Sequence, residues 1–343
     1  MLASLASGYH GPPELTLSRA FSSWTLDAWT LAGILLLGGL YVAGIRLARR
    51  AGVPWPAGRI VAFCGLGLGF TVIATMSFVG VYQPVLFYVR SVQTILLLLV
   101  VPLFLALGRP LTLLIAACPR LGPRLASAIR SRTAKLLTFP PLTTLVLVVT
   151  PFLIYFTPWY AAGFTSVLVA QLTHLALMLP GFVFFWTLLR VDPVPKAYPY
   201  VVSLWITGAE VIGDGVLGLA VIASTSLLAG HYYHLVARPW GPSLATDQVL
   251  GGGVLWILGD IVGLPFLAAQ LIQMIREDEA DAKVIDAELD ARDAATAASA
   301  VPAPAVQATD DATAADAEEA TQRPWWESDR RFADRFRAVD DAK

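Results

Sequence analysis

Long apolar runs separated by short polar links dominate the hydrophobic pattern of this chain. Each run is long enough to cross the hydrocarbon core of a bilayer, which is about 30 Å thick and takes roughly 20 helical residues. A lone segment of that length must satisfy its own backbone polar groups, which indicates a helix. The pattern predicts an all-α integral membrane protein, a bundle of seven transmembrane helices. The predicted spans are 27–48, 57–81, 84–107, 139–157, 164–190, 199–229 and 248–275.

Composition agrees with the pattern and separates the C-terminal part from the rest. Of the 343 residues, 56% are hydrophobic and only 14% are charged, which excludes an ordinary soluble domain. Residues 276–343 instead carry 18 acidic and 9 basic side chains, a balance typical of solvated, largely disordered chain. The expected domains are an extracytoplasmic segment (1–26), the transmembrane domain (27–275), an acidic Ala-rich cytoplasmic linker (276–322) and an aromatic, charged C-terminal motif (323–343).

The C-terminal motif brings aromatic side chains back with helical spacing after the polar linker. Two interpretations stay open: a helix lying on the membrane or on the protein body, and a docking site for a partner protein. The aromatic residues concerned are Trp325, Trp326, Phe332 and Phe336.

The distribution of positive charge predicts the orientation in the cell membrane. Arginine and lysine favour cytoplasmic links, and they are concentrated in the first and third links, where Arg46, Arg49 and Arg50 are examples. The N-terminus is therefore expected outside and the C-terminus in the cytoplasm. The histidine-bearing link at 231–234 then faces outward.

Carboxylates inside apolar spans form the first candidate site. Glu210 and Asp214 lie four residues apart on one helix face, and Asp260 lies in the last span. Charges at membrane depth are costly and persist mainly with a partner, a metal or a water-filled cavity. Arg90, in the third span, is the expected counter-ion for a buried ion pair. A cation or proton site is the alternative interpretation.

Histidine and methionine form the second candidate site. His174 and Met178 are four residues apart, and an imidazole with a thioether suits copper. His231 and His234 stand three apart and could bind a metal. A hydrogen-bonded interhelical histidine explains the first pair equally well, and an aromatic belt at the membrane surface explains the tyrosines between the second pair.

The sequence contains no recognisable catalytic or nucleotide-binding motif. The glycine triplet 251–253 lacks the lysine and serine or threonine of a phosphate-binding loop, so close helix packing is the expected role. The sequence has no serine nucleophile in a histidine and aspartate setting. We therefore expect no enzymatic activity and no nucleic-acid partner.

The stretch ATDQVLGGGVLWILGDIVGLP resembles the bacterial cytochrome c oxidase assembly factors of the CtaG type, in their actinobacterial branch. LTHLALMLPGFVFFWTLL resembles the fifth span of that family, and the likeness covers roughly residues 25–290. The matching motif positions are Asp247, Gln248, Gly252 and Trp256. The resemblance implies a role in assembling haem–copper oxidases, with oxidase subunits or copper chaperones as partners alongside the lipid bilayer.

Departures from the family pattern fall on its histidines. The third-span histidine positions hold Arg90 and Thr94, and the sixth-span histidine position holds Asp214. The resemblance implies copper as a possible cofactor, and the remaining ligands to be expected are His174, Met178 and Asp214, with His231 and His234 nearer the surface. A coupled proton or cation transporter and a scaffold that binds no metal are the alternative functions.

Overall fold

The computed structural model describes residues 8–118, 122–129, 131–190, 192–195, 198 and 200–299. All regular structure in these residues is helical, which confirms the all-α prediction. The helices are α1 (Leu17–Ser22), α2 (Ala28–Arg50), α3 (Ala57–Tyr82, with a break at Ser77), α4 (Phe87–Ala117, with a break at Gly108 and Arg109), α5 (Gly122–Ile129), α6 (Arg132–Leu137), α7 (Pro140–Phe156), α8 (Trp159–Thr165), α9 (Val167–Leu189), α10 (Tyr200–Ala223), α11 (Gly230–Val236) and α12 (Leu244–Ser299).

Six of the described helices are long and apolar enough to cross a membrane by themselves: α2, α3, α4, α9, α10 and α12. The helices α7 and α8 pass the same test only together and are bent by 69° at their junction. Counting that bent pair as one span gives the seven predicted from the sequence. Multiple apolar helices identify a multi-pass cell membrane protein.

The helix α4 lies at the centre of the bundle and α2 lies at its edge. Two thirds of the apolar window of α4 is buried (67%), against 17% for α2. The helix α9 packs against α7 and α4, whereas α2 packs mainly against the C-terminal part of α4. Most of the surface of α2 therefore remains available to lipid or to another molecule.

Close helix packing at the glycine triplet is confirmed at Gly252. A Cβ added there would lie 2.7 Å from the Gly218 carbonyl oxygen, and one added at Gly218 would lie 2.6 Å from the Gly252 carbonyl oxygen. The backbones of α10 and α12 thus touch directly, which only glycine permits at both positions. A Cβ on Gly253, by contrast, would meet open space.

The expectation of disorder from residue 276 is wrong for the first part of the linker. One compact unit spans Met1–Glu279, a second begins at Ala280, and α12 is helical to Ser299. Alanine has the highest helix propensity, and Glu288 stands four residues before Arg292, a spacing that stabilises helices. Local helix propensity therefore outweighs the high charge in this stretch.

Candidate functional site

Arg90 is held in α4 by neutral groups rather than by a carboxylate. Its side chain is 3% exposed, and Nη1 donates hydrogen bonds to Gln83 Oε1 at 2.8 Å and to Gln93 Oε1 at 2.7 Å. The guanidinium also lies over the Phe164 ring at 5.4 Å, a cation–π contact. Gln93 in turn donates to the Ala74 carbonyl at 2.8 Å, which links α4 to α3.

The predicted ion pair between Arg90 and the membrane carboxylates is therefore wrong. Across the part of the chain that the structure describes, the salt bridge formed is Arg238 with Asp247, at 3.2 Å. Arg90 lies over the ring of Phe164, and two glutamine carbonyls accept the hydrogen bonds of its Nη1 group. Helical spacing identified Arg90 as a buried cation and made Gln93, three residues further on, a local candidate partner, but the sequence analysis assigned the carboxylates instead.

The three predicted carboxylates do come together, at the interface of α10 and α12. Glu210 and Asp214 are 2% and 3% exposed, and the charges of both are close enough to Asp260 to interact. Asp214 Oδ2 and Asp260 Oδ1 are buried without a hydrogen-bond partner. Gly259 makes room for this arrangement, since a Cβ there would lie 2.3 Å from Asp214 Oδ2.

A row of polar side chains, which we call the polar file, continues from these carboxylates along α10, and the sequence analysis missed it. Thr207 Oγ1 donates to Gln270 Oε1 at 3.1 Å, and Arg190 Nη2 donates to Ser203 Oγ at 3.2 Å. Positions 203, 207, 210 and 214 follow helical spacing, so they share one face of α10. That periodicity was the available signal, although serine and threonine are common enough in membrane helices to hide it.

His174 belongs to a different polar group, at the junction of α9 and α2. Thr30 Oγ1 lies 3.5 Å from His174 Nδ1 and donates to Asp27 Oδ2 at 2.6 Å. Gln171 Nε2 donates to the same Asp27 oxygen at 2.7 Å. The sequence analysis missed Asp27, Thr30 and Gln171. The bond of Gln171 to Asp27 joins two helices far apart in sequence, whereas Asp27 and Thr30 stand three residues apart, which is the local spacing of a helix N-cap.

The charge state of Asp27, which precedes the first span, follows from these bonds. Burial acts to raise the pKa of the carboxyl group, but the hydrogen bonds from Thr30 and Gln171 outweigh it and lower the pKa below its ordinary value. Asp27 also accepts from the Thr30 backbone amide at 3.1 Å and so caps α2. An anionic carboxylate therefore marks the first turn of α2.

The expected copper ligands do not converge on one point. His174 and Met178 line a groove beside α2, whereas Asp214 packs on Gly259 of α12. Among the described residues, no group of three or more histidine, cysteine, aspartate or glutamate side chains is arranged to hold a metal ion. The ligands predicted for a single copper site thus lie at different helix interfaces, and copper binding stays a prediction.

The second histidine pair projects from the short helix α11. His231 and His234 are both exposed, whereas Tyr233 between them is buried and its hydroxyl lies 2.9 Å from that of Tyr160. The tyrosine fastens α11 to the bundle through α8, and the histidines remain on the surface. Neither histidine belongs to a group of metal ligands in the described residues.

The family-motif residues Asp247 and Gln248 organise the same end of the molecule. Asp247 accepts hydrogen bonds from the backbone amides of Phe87 and Tyr88, at 3.0 and 3.1 Å, and so caps the N-terminus of α4. Gln248 accepts from the Leu228 amide at 2.8 Å. Their roles in the structure are to join α12 to α4 and to the link before α11. We call this region the Asp247 end of the bundle; α2, α4, α9 and α12 begin there.

A matching cap lies at the other end, and sequence reasoning did not identify it. Asp192 is 4% exposed and accepts from the backbone amides of Leu111 and Thr112, at 3.1 and 2.9 Å. It thereby caps the last segment of α4. The motif residue Trp256 is 40% exposed and packs beside Gly218. The aromatic residues Trp325, Trp326, Phe332 and Phe336 lie outside the described residues.

The fold and site together define a multi-pass helical membrane protein whose polar side chains are buried between helices. The model of one family, cytochrome c oxidase caa3 assembly factor, matches residues 39–277. The chain belongs to that family, as the resemblance predicted. Relatives include a Mycobacterium bovis protein, 28% identical over 304 residues (84% of this chain, 46% of the relative), and a Mycobacterium leprae protein, 29% identical over 279 residues (79% and 42%).

Both mycobacterial relatives are described as uncharacterized proteins, and their similarity fits a divergent actinobacterial member of the family. The chain spans less than half the length of these curated relatives. No solved structure matches the chain.

Proposed function

We propose that this protein is an accessory factor for assembly of haem–copper cytochrome c oxidase, acting from the extracytoplasmic side of the cell membrane. The observation that carries the proposal is the family match over residues 39–277. Charge supports the orientation: Arg46, Arg49 and Arg50 lie at the C-terminal end of α2, away from the Asp247 end. Because arginine favours cytoplasmic links, the Asp247 end faces outward.

The mode of action we propose is positioning of partners rather than turnover. The predicted copper ligands lie at different helix interfaces, which supports delivery of copper to the oxidase centre by a partner rather than by a resident site. His231 and His234 are exposed at the Asp247 end, where they serve as a contact point for an oxidase subunit or a copper chaperone. The buried bonds of Asp247 keep that surface in place.

The experiment that tests this function is deletion of the gene from its host, followed by measurement of assembled oxidase from haem spectra and oxygen consumption. We expect assembled oxidase to fall and to return with the wild-type gene. Normal oxidase content in the deletion strain would overturn the proposal.

The histidine pair requires its own comparison in the complemented strain. The double variant His231→Ala/His234→Ala should restore less oxidase than His10→Ala, a matched change at another exposed histidine. Equal restoration by both would overturn the role of the pair while leaving the assembly function in place.

A second candidate function is a proton- or cation-coupled transporter, and the polar file along α10 favours it. The file leads from Arg190 and Ser203 past Thr207 and Gln270 toward the buried carboxylates. It predicts pH-dependent flux in proteoliposomes that is lost in Asp214→Asn. Flux equal to that of empty liposomes would exclude this function.

A further inference from the structure

A groove of about 610 Å³ lies between α2, α3 and α9 near the Asp247 end. Its volume falls in the range of sites for small molecules, roughly 300–1,000 Å³. Its walls are mostly aliphatic, and Leu168 and Leu175 on its α9 side are 68% and 52% exposed. Because these helices cross the membrane, the groove is open to lipid, and an occupant enters from the bilayer.

One end of the groove is polar. His174 and Gln171 from α9 and Thr30 from α2 line it, and Asp27 lies directly behind them through its bonds to Thr30 and Gln171. Trp29 forms an aromatic wall beside this end and is 71% exposed. A groove with one polar end and apolar walls fits an amphiphile with a compact head and a long tail.

The hydrogen bonds determine what the head must offer. Asp27 is anionic and can only accept, so the Thr30 hydroxyl gives its single proton to Asp27 at 2.6 Å rather than to Gln171 Oε1 at 3.1 Å. The Thr30 oxygen is then free to accept from His174 Nδ1, 3.5 Å away. A neutral imidazole that donates through Nδ1 presents Nε2 as an acceptor, and the described structure gives Nε2 no partner. The head must therefore donate a hydrogen bond to Nε2, as a hydroxyl does.

The charges near the groove and the shape of its walls restrict the chemistry of the occupant further. The Asp27 carboxylate and the Arg90 cation both act electrostatically on His174, and these opposite charges favour a head without net charge. The exposed indole of Trp29 lines the groove and can pair with an aromatic ring, and such ring pairs contribute about 0.5–1.5 kcal/mol beyond burial. We propose that this groove binds a membrane hydroquinone, its ring hydroxyl donating to His174 Nε2 and its apolar tail lying along α2 and α9.

The test uses the full-length protein in lipid nanodiscs and a decyl-substituted 1,4-hydroquinone as the probe, with binding measured by equilibrium dialysis under reducing conditions. We expect saturable binding to one site. The corresponding quinone lacks the hydroxyl donors, so it should bind about tenfold more weakly, as expected for one buried acceptor left unpaired. Equal affinity for hydroquinone and quinone would overturn the proposal, as would tighter binding of decanol than of hydroquinone.

Two glycines of α2 provide a matched pair of variants. A Cβ on Gly33 or on Gly39 would meet open space, so both tolerate a larger side chain, but only Gly33 lines the groove. Gly33→Leu should weaken hydroquinone binding at least tenfold, and Gly39→Leu should leave it unchanged. Equal binding by the two variants would show that the probe occupies another place.

Substitutions at His174 separate the hydrogen bond from the shape of the groove. His174→Gln keeps an acceptor oxygen and should retain most of the preference for hydroquinone over quinone. His174→Phe removes the acceptor and should abolish that preference, while the melting temperature reports whether each variant is folded. A preference unchanged in His174→Phe would overturn the assigned contact.

Discussion

Arg238 and Asp247 form an ion pair at 3.2 Å in which both side chains are almost fully removed from solvent, at 2% and 1% exposure. Asp247 simultaneously accepts the Phe87 and Tyr88 amides. One carboxylate thus compensates a buried cation and a helix N-terminus together. This explains structurally why an acid at position 247 suits the family motif, without assigning it any chemistry.

Replacing Asp247 by Asn should destabilise the protein strongly. The change leaves Arg238 buried without its counter-ion, and breaking a buried pair costs about 3–5 kcal/mol. Thermal melting in detergent measures the effect, with Asp278→Asn on the exposed face of α12 as the control. A melting temperature equal to that of the control would mean that water, rather than the ion pair, compensates Arg238.

Arg90→Ala and Asp214→Ala should act independently on stability. Arg90 bonds to Gln83 and Gln93, whereas Asp214 lies beside Gly259 and Asp260. Sites without shared partners add within about 0.3–0.5 kcal/mol. Denaturant unfolding of both single variants and the double variant measures the coupling. If Asp214→Ala recovered the stability lost in Arg90→Ala, that result would support the ion pair that the sequence predicted.

Adding one methyl group should distinguish neighbouring glycines of α12. Gly252→Ala places a Cβ 2.7 Å from the Gly218 carbonyl and forces α10 and α12 apart, at a cost of about 1–3 kcal/mol. Gly253→Ala points into open space and should be neutral or slightly stabilising, because alanine is the better helix former. Comparable melting temperatures of the two variants would contradict direct backbone contact.

The contribution of the Asp27 carboxylate to the stability of the folded protein should vanish in acid. Its pKa is lowered in the folded protein, so the ionised form contributes stability above the unfolded value near 3.8, and this is lost as pH falls through the folded value. The wild type should melt higher than Asp27→Asn at pH 7. The difference should shrink as pH falls below about 4. If the difference in melting temperature stayed constant across this pH range, packing rather than the charge of Asp27 would explain the stability of the wild type.

The hydrophobic pattern was sufficient to predict the class of fold. Runs of about 20 apolar residues have few alternatives in a bilayer, so the number and approximate positions of the spans followed from the hydrophobic pattern alone. The bend of 69° between α7 and α8 did not follow, since it depends on how that segment packs. The high charge from residue 276 onward led to a prediction of disorder where the helix in fact continues to Ser299. The alanine content and the acid–base spacing of the same residues were signals for that helix.

The candidate sites likewise combine local relations that the sequence predicted with long-range contacts that only the structure revealed. Helical spacing was enough to place Glu210 and Asp214 on one face, because that relation is local. The bond from Gln171 to Asp27 and the position of Asp247 on the first amides of α4 were decided only by the tertiary structure. Each of these two contacts joins residues more than 100 positions apart, and a one-dimensional pattern contains no information on which helices become neighbours or how they rotate.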